Sequence, residues 1–450
     1  MKLPEIPPEF DALFQKYVND DPQLILKLVR YGGSTDAKGR YLHWDKVRYL
    51  PPPDGFTAEE YWMAMKAARM NQYRPLPFVD KSREHFKYLV TDQMLAALHW
   101  LDQNASGSKK TEQPITNPAM RQTYLVSSLM EESINSSQIE GAATTREVAK
   151  EMLREGRRPR DNSETMIYNN FLAMQFVRDV RDETLTKGML LELHRILTDG
   201  TLEPERAGRL RTDDDKIHVV GADQRILHTP PPARELAERL ELICDFANEK
   251  EDGKTFLHPL LKAITLHFMI GYDHPFVDGN GRTARALFYW YALRHGYWLL
   301  EFLSISAVIK EAPQQYVKAY LYTESDDNDV SYFLIHQLET VQKAIERLHA
   351  YLARKTAELE SAERLLEGTT LRGGLNERQL AVLEHALKHP GAVFTIEGQR
   401  KSHGTSYQTA RTDLLSLSDE LKILTRRKRG NAFVFVAPLS LKKALEPFRV

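Results

Sequence analysis

Apolar residues recur every three to four positions through 122–139, 144–154, 164–180, 187–197, 233–248, 259–273 and 281–295. This is the period of a helix with one buried face, and such stretches in close succession restrict this part of the chain to a mainly α core. The 42% hydrophobic content over 450 residues supplies a sizeable interior, and the length suits about two to four domains. One segment breaks the period: in 213–229 two short β-prone runs flank Gly221-Ala222-Asp223, the pattern of a hairpin. Pro230-Pro231-Pro232 then restarts a helix.

The flanks read differently. From Phe10 to about Trp100, helical patterns alternate with Pro51-Pro52-Pro53 and Arg74-Pro75-Leu76-Pro77, which we read as rigid corners. Residues 101–119 are polar and rich in turn formers, as in an exposed connection. The charged helical stretch 331–366 carries Phe333, Leu334, Leu338, Val341, Ile345, Leu348 and Leu352 on one stripe, which suits a spacer or a dimer arm. After Leu375 the order is helix, short strand, helix, Gly404 turn, helix, then two β-prone runs around a basic cluster at 426–429, an order that resembles a winged helix-turn-helix. The expected divisions are a helical amino-terminal region (1–119), a central domain (120–328), a helical linker or dimer arm (329–370) and a winged-helix domain (371–450).

Lys and Arg total 61 against 62 for Asp and Glu, so no global charge draws the chain to nucleic acid or an anionic membrane. Any basic surface is local. Thr405 to Asp413, with Arg400, Lys401 and the 426–429 cluster, suits contact with DNA, and winged helices equally bind proteins or build dimers. The single cysteine, Cys244, sits in an apolar helical pattern and reads as a buried structural thiol. With no signal peptide and no apolar run of about 18 residues, the expectation is a cytoplasmic protein with no membrane partner.

Between His274 and Arg285 the chain reads His-Pro-Phe-Val-Asp-Gly-Asn-Gly-Arg-Thr-Ala-Arg. A base, a carboxylate, a glycine-rich turn at a helix start and two arginines lie in one run. Every fixed position of His-Pro-Phe-x-Asp/Glu-Gly-Asn-Gly-Arg-x-x-Arg is met, so the segment resembles the Fic family, whose members mostly transfer AMP from ATP to protein hydroxyls. Such transfer needs a proton acceptor, an electropositive cradle and Mg²⁺. His274 is the candidate base. Asp278 is a hard oxygen ligand for Mg²⁺. Gly279, Asn280 and Gly281 can turn their N–H groups toward an anion at the start of a helix. Arg282 and Arg285, three apart on the first turn, can reach neighbouring phosphates, and two cations there are unfavourable without an anion. The resemblance implies that Arg282 holds the inner phosphates and Arg285 the γ-phosphate of ATP.

Upstream, Ser136-Ser137-Gln138-Ile139-Glu140-Gly141 fits the same family's inhibitory pattern, Ser/Thr-x-x-x-Glu-Gly/Asn. Ser136 and Glu140 share a helical face, and Glu140 falls in the last turn, where the helix dipole disfavours a carboxylate and a cation is wanted. Arg285 is the candidate, so the expectation is an autoinhibited adenylyltransferase. The resemblance further implies a hairpin flap that docks an extended stretch of the target, here Ile217, His218, Val219 and Val220. Other readings stay open: removal of AMP by the same site, transfer of another group such as phosphocholine, or a DNA-binding regulator whose Fic site senses ATP or modifies the chain itself. The expected partners are a target protein or the chain itself, DNA or protein at the winged helix, and a second copy in a homodimer.

Overall fold

The structure, a computed structural model, describes all residues except 1, 21–23, 107–117, 222, 250–255, 367–368, 372, 430–431 and 450. The turn residue Ala222, most of the expected connection 101–119 and Gly430-Asn431 therefore lie outside the described residues.

The amino-terminal region begins with α1 (Phe10–Asp20), α2 (Leu24–Tyr31), α3 (Trp44–Val47) and α4 (Ala58–Met70). The first two pack on α4 around Leu13, Leu28, Val47 and Trp62. Thr57 and Glu60 close a capping box at the start of α4. The reading of 74–77 as a corner is corrected. Those residues open β1 (Arg74–Val79), which pairs antiparallel with β2 (His85–Tyr88). Proline is tolerated because the sheet has only two strands, and the alternation puts Leu76 and Phe78 inside while Pro75 and Pro77 face out. The next helix, α5 (Asp92–Ala105), runs past residue 101 into the expected connection, because Leu101 and Ala105 continue its buried stripe.

The central part comprises α6 (Pro118–Ile139), α7 (Arg146–Glu155), α8 (Asn162–Asp179) and α9 (Lys187–Thr198), then the hairpin β3 (Val219–Val220) and β4 (Ile226–His228). It continues with α10 (Leu236–Asn248), α11 (Pro259–Asp273), α12 (Asn280–Arg294), α13 (Ile305–Glu311) and α14 (Pro313–Ser325). Helices α11 and α12 form the centre, and both are buried on nearly every side. That explains why α11 reads as almost continuously apolar. The amino-terminal region is tied to this centre by buried charge: Lys66 pairs with Asp326, and Arg69 donates to the Tyr332 hydroxyl at 2.7 Å while lying 3.8 Å from the Tyr41 ring centroid.

The 36-residue α15 (Ser331–Leu366) is not a free arm along its first turns. Phe333, Leu334, Leu338, Val341, Ile345, Leu348 and Leu352 belong to the central core, so the apolar stripe is spent within the chain. A second core, starting at Leu366 and Leu371, gathers α16 (Glu377–Lys388), β5 (Val393–Thr395), α17 (Ile396–His403), α18 (Tyr407–Leu415), β6 (Thr425–Arg429), β7 (Ala432–Val436) and α19 (Leu441–Leu445). The strands form an antiparallel sheet in the order β5-β7-β6. Helix α17 rests on α6 and α7, and Lys401 Nζ lies over Gly156, the left-handed carboxy-terminal cap of α7. A cation there complements the helix dipole.

Candidate active site at the start of helix 12

Helix α11 ends at His274, which adopts the left-handed conformation (φ 45°) with its N–H still bonded to the Ile270 carbonyl. Pro275 cannot continue the helix. The chain then turns through a loop closed by one side chain: Asn280 Oδ1 accepts from the Phe276 N–H at 2.9 Å, and its Nδ2 donates to the Phe276 carbonyl at 2.9 Å. Gly279 has φ 82°, open to glycine at little cost, and a Cβ there would lie 3.0 Å from Thr198. His194 on α9 supports the loop from beneath. Its ring stacks on Phe276 at 3.7 Å; Nδ1 accepts from the Gly208 N–H at 2.9 Å, so Nε2 carries the proton and donates to the Asp278 carbonyl at 2.9 Å.

The His274 Nδ1–H donates to the Gly271 carbonyl at 3.2 Å, which leaves Nε2 as the proton acceptor. Burial pushes the His274 pKa down to about 4, with the neighbouring His228 acting in the same direction, so the ring is neutral across the physiological range. Asp273, immediately before it, is pushed up to about 7 by burial against the pull of Arg239 at 3.1 Å. Arg211 fastens the stem of the hairpin to this corner, its Nε donating to the His274 carbonyl at 2.8 Å and its Nη2 to the Pro231 carbonyl at 2.6 Å.

The two arginines of α12 are fully buried and diverge. Arg282 donates to the Leu197 carbonyl at 3.0 Å and pairs with Asp278 at 3.1 Å; Arg285 turns to α6, reaching Ser136 Oγ at 2.9 Å, the Ser136 carbonyl at 3.0 Å and Glu140 Oε1 at 2.8 Å. Arg282 Nε and Arg285 Nη1 are buried with no hydrogen-bond partner among the described residues, and Arg285 Nη1 lies beside Gly281, 3.1 Å from where a Cβ there would stand. Glu140 follows the last residue of α6, and Gly141 (φ 98°) reverses the chain behind it. Its carboxylate is seated on Gly281: a Cβ at that glycine would come within 2.2 Å of Glu140 Oε1. An anion thus rests at the amino terminus of α12, where the free N–H groups and the helix dipole favour one.

Of the flap residues, only Val219 and Val220 are in a strand, paired with His228 and Ile226. Lys216 takes the left-handed conformation after the turn at 213–215, and Ile217 and His218 lie outside the strand, the His218 Nδ1 3.3 Å from the Thr229 hydroxyl. Val220 and Ile226 are exposed apolar side chains at the tip. His228 is buried, with Nδ1 at 2.7 Å from Glu324 on α14 and Nε2 at 2.7 Å from the Tyr272 carbonyl. Sequence reasoning missed His194, Arg211 and His228. They lie within otherwise ordinary periodic or loop segments, and their only sequence signal is a polar residue at an inward position.

Fold and site together define a helical domain built around a glycine loop that lies against a carboxylate and beside a neutral imidazole. Residues 184–292 match the Fic/DOC family. It is 33% identical over 128 residues to the protein adenylyltransferase Fic of Drosophila willistoni, which is 28% of this chain and 24% of that protein. Against the protein of the same name from Nematostella vectensis it is 33% identical over 117 residues, 26% of this chain and 25% of the relative. The chain therefore spans about a quarter of the length of these relatives. Among solved structures it is similar to a Fic family protein from Desulfovibrio desulfuricans G20 (TM-score 0.49, 20% identity, 78% of this chain and 98% of that one) and to Fic-1 from C. elegans (TM-score 0.48, 19% identity, 70% and 82%). Among the described residues no helix is long and apolar enough to cross a membrane.

Proposed function

We propose that the chain transfers AMP from ATP to a hydroxyl side chain of a protein target, restrained by its own Glu140. The observation that carries the reading is a half-buried imidazole whose Nδ1 is held by the Gly271 carbonyl, leaving Nε2 as acceptor, beside a glycine loop against which a carboxylate already rests. In the transfer, the target oxygen attacks the α-phosphorus, its proton passes to His274 Nε2, and the bond to the bridging oxygen breaks to release pyrophosphate. The N–H groups of Gly279 to Gly281 cradle phosphate, with Arg282 on the inner phosphates and Arg285 on the γ-phosphate. Val219 and Val220 offer strand edge to an extended target segment. Asp278 is half-exposed and spends one oxygen on Arg282. Its other oxygen suits Mg²⁺, which binds through one or two carboxylates plus phosphates and neutralises charge on the leaving pyrophosphate.

While Glu140 holds Arg285, the γ-phosphate lacks its partner and ATP cannot seat for in-line attack. Glu140→Gly is expected to raise labelling by α-phosphate-labelled ATP about tenfold or more, the scale of one charge-assisted contact. His274→Ala added to it should abolish labelling. Equal rates for wild type and Glu140→Gly would remove the autoinhibition; label retained in the His274→Ala background would remove the mechanism.

A second reading concerns the carboxy-terminal module, which we take as a winged helix. With α17 against α6 and α7, helix α18 exposes Tyr407, Gln408, Arg411 and Thr412, and the β6 strand exposes Arg426, Arg427 and Lys428. That surface suits a DNA groove and its phosphates, which would make the Fic site the sensor or self-modifying part of a regulator. A salt-dependent shift of duplex DNA by the full chain supports this reading, and no binding at low salt ends it.

A further inference from the structure

Glu132 lies on α6 two turns before Glu140 and is almost fully buried. Among the described residues no cation lies at hydrogen-bond distance from it. Its carboxylate instead accepts from the Tyr289 hydroxyl (3.0 Å), Ser304 Oγ (2.7 Å), the Ser306 N–H (3.1 Å) and the Ser306 hydroxyl. These donors belong to α12 and to the start of α13, whereas the partners of Glu140 lie at the opposite end of the same groove. Tyr289 is fixed in turn, its oxygen accepting from the Ile305 N–H at 2.9 Å.

The spacing shows what this contact does. Glu132 and Ser136 on α6 and Glu140 just past its end are four apart, and Tyr289, Arg285 and Gly281 are four apart on α12, so each set lines up in one stripe. The stripes run in opposite directions and meet in order: Glu132 on Tyr289, Ser136 on Arg285, and Glu140 on Arg285 and Gly281. A slip of α6 by one residue moves it by about 1.5 Å and turns it by about 100°. Either motion lifts the Glu140 carboxylate off Gly281. At the Glu140 end the helix stops and the chain reverses at Gly141, so Arg285 is what holds the register there. At the other end, releasing Glu132 would strand several buried donors at once.

We propose that Glu132 is the positioning residue that sets the register of α6 against α12, and so holds Glu140 in the anion seat. This rests on the reading that Glu140 is inhibitory. Glu132 touches none of the loop from Asp278 to Gly281, so its influence on nucleotide transfer passes through Glu140.

The test is a double-mutant comparison of labelling by α-phosphate-labelled ATP, combined with hydrogen exchange over residues 132–140 in the full chain. Glu132→Ala should raise labelling about tenfold over wild type and speed exchange in α6. In the Glu140→Gly background the same change should give no further rise. Glu132→Gln keeps the acceptor toward Tyr289, Ser304 and the Ser306 N–H and can donate to the Ser306 hydroxyl, so it should stay at the wild-type rate. Should Glu132→Ala not fold, Ser306→Ala removes one donor and should give about a threefold rise with faster exchange. Wild-type labelling and exchange in the Ala variants overturn the proposal. So does a rise that persists without Glu140, or a fall in both backgrounds, which is what loss of fold alone would cause. Failure of the underlying reading is distinguishable: there Glu140→Gly itself labels at the wild-type rate.

Discussion

At the residue scale, the candidate site holds an imidazole neutral and a glycine bare against a carboxylate. His274 is held near pKa 4, chiefly by burial, so its protonation contributes no change in rate at neutral pH. Labelling by the Glu140→Gly chain is therefore expected to be flat from about pH 6 to 8. A steep fall below an apparent pKa near the unperturbed 6.5 would show that the ring is not desolvated as described. His194 gives a second residue-scale expectation. It fills the space under Phe276 and uses both ring nitrogens on backbone groups. His194→Ala should cost about 3 kcal/mol in urea unfolding, through a cavity and two lost backbone bonds. It should also lower labelling, because the loop that seats the anion loses its prop. A loss under about 0.5 kcal/mol would mean the loop stands without it.

At the element scale, the behaviour of α6 depends on neighbours from distant parts of the chain. It lies along α12 on one side and carries α17 of the carboxy-terminal module on another, while α17 also covers α7. The cap at Gly156 marks that junction. Its φ of 64° disfavours any side chain, and a Cβ would stand 3.2 Å from Lys401 Nζ. Gly156→Ala should lower stability by about 1 kcal/mol, mostly from backbone strain because the lysine tip can move. The check is a thermal melt of the full chain, and no change in midpoint would show that the cap relaxes. Helix periods in this region are legible in the sequence because each helix has one buried stripe. Which stripe meets which is not, since Glu132 and Tyr289 are 157 residues apart. The strand at 74–79 was misread for a related reason: proline at 75 and 77 signals a corner locally, and only pairing with His85–Tyr88 shows that its outward positions can hold proline.

At the scale of the whole molecule, buried histidines make the fold sensitive to acid. His43, His194, His274 and His336 are each lowered to about 4, first by burial, from 6.5. A group depressed in the fold takes up protons more readily unfolded. Its contribution is therefore complete above about pH 6.5 and is lost as pH falls toward 4. Asp273, raised to about 7 by burial, works in the opposite sense. The fully buried pair His43 and His194 alone should account for on the order of 3 kcal/mol between pH 7 and 5. Denaturant midpoints at the two pH values test this, and equal midpoints would contradict the burial of these rings.

The sequence alone carried the chemistry that is contiguous. The run from His274 to Arg285 holds its base, carboxylate, turn and cations within one helix end, so residue type and local geometry suffice to read it. It also carried the helical period of the core, because burial of one face imposes that spacing on each helix separately. The tertiary structure decided what those groups meet: that Arg282 and Arg285 diverge to α9 and α6, that the Glu140 carboxylate sits on Gly281, and that the stripe of α15 is buried at home. Such contacts join residues far apart in the chain, and their energies depend on shape and desolvation at the meeting point, which no local pattern encodes.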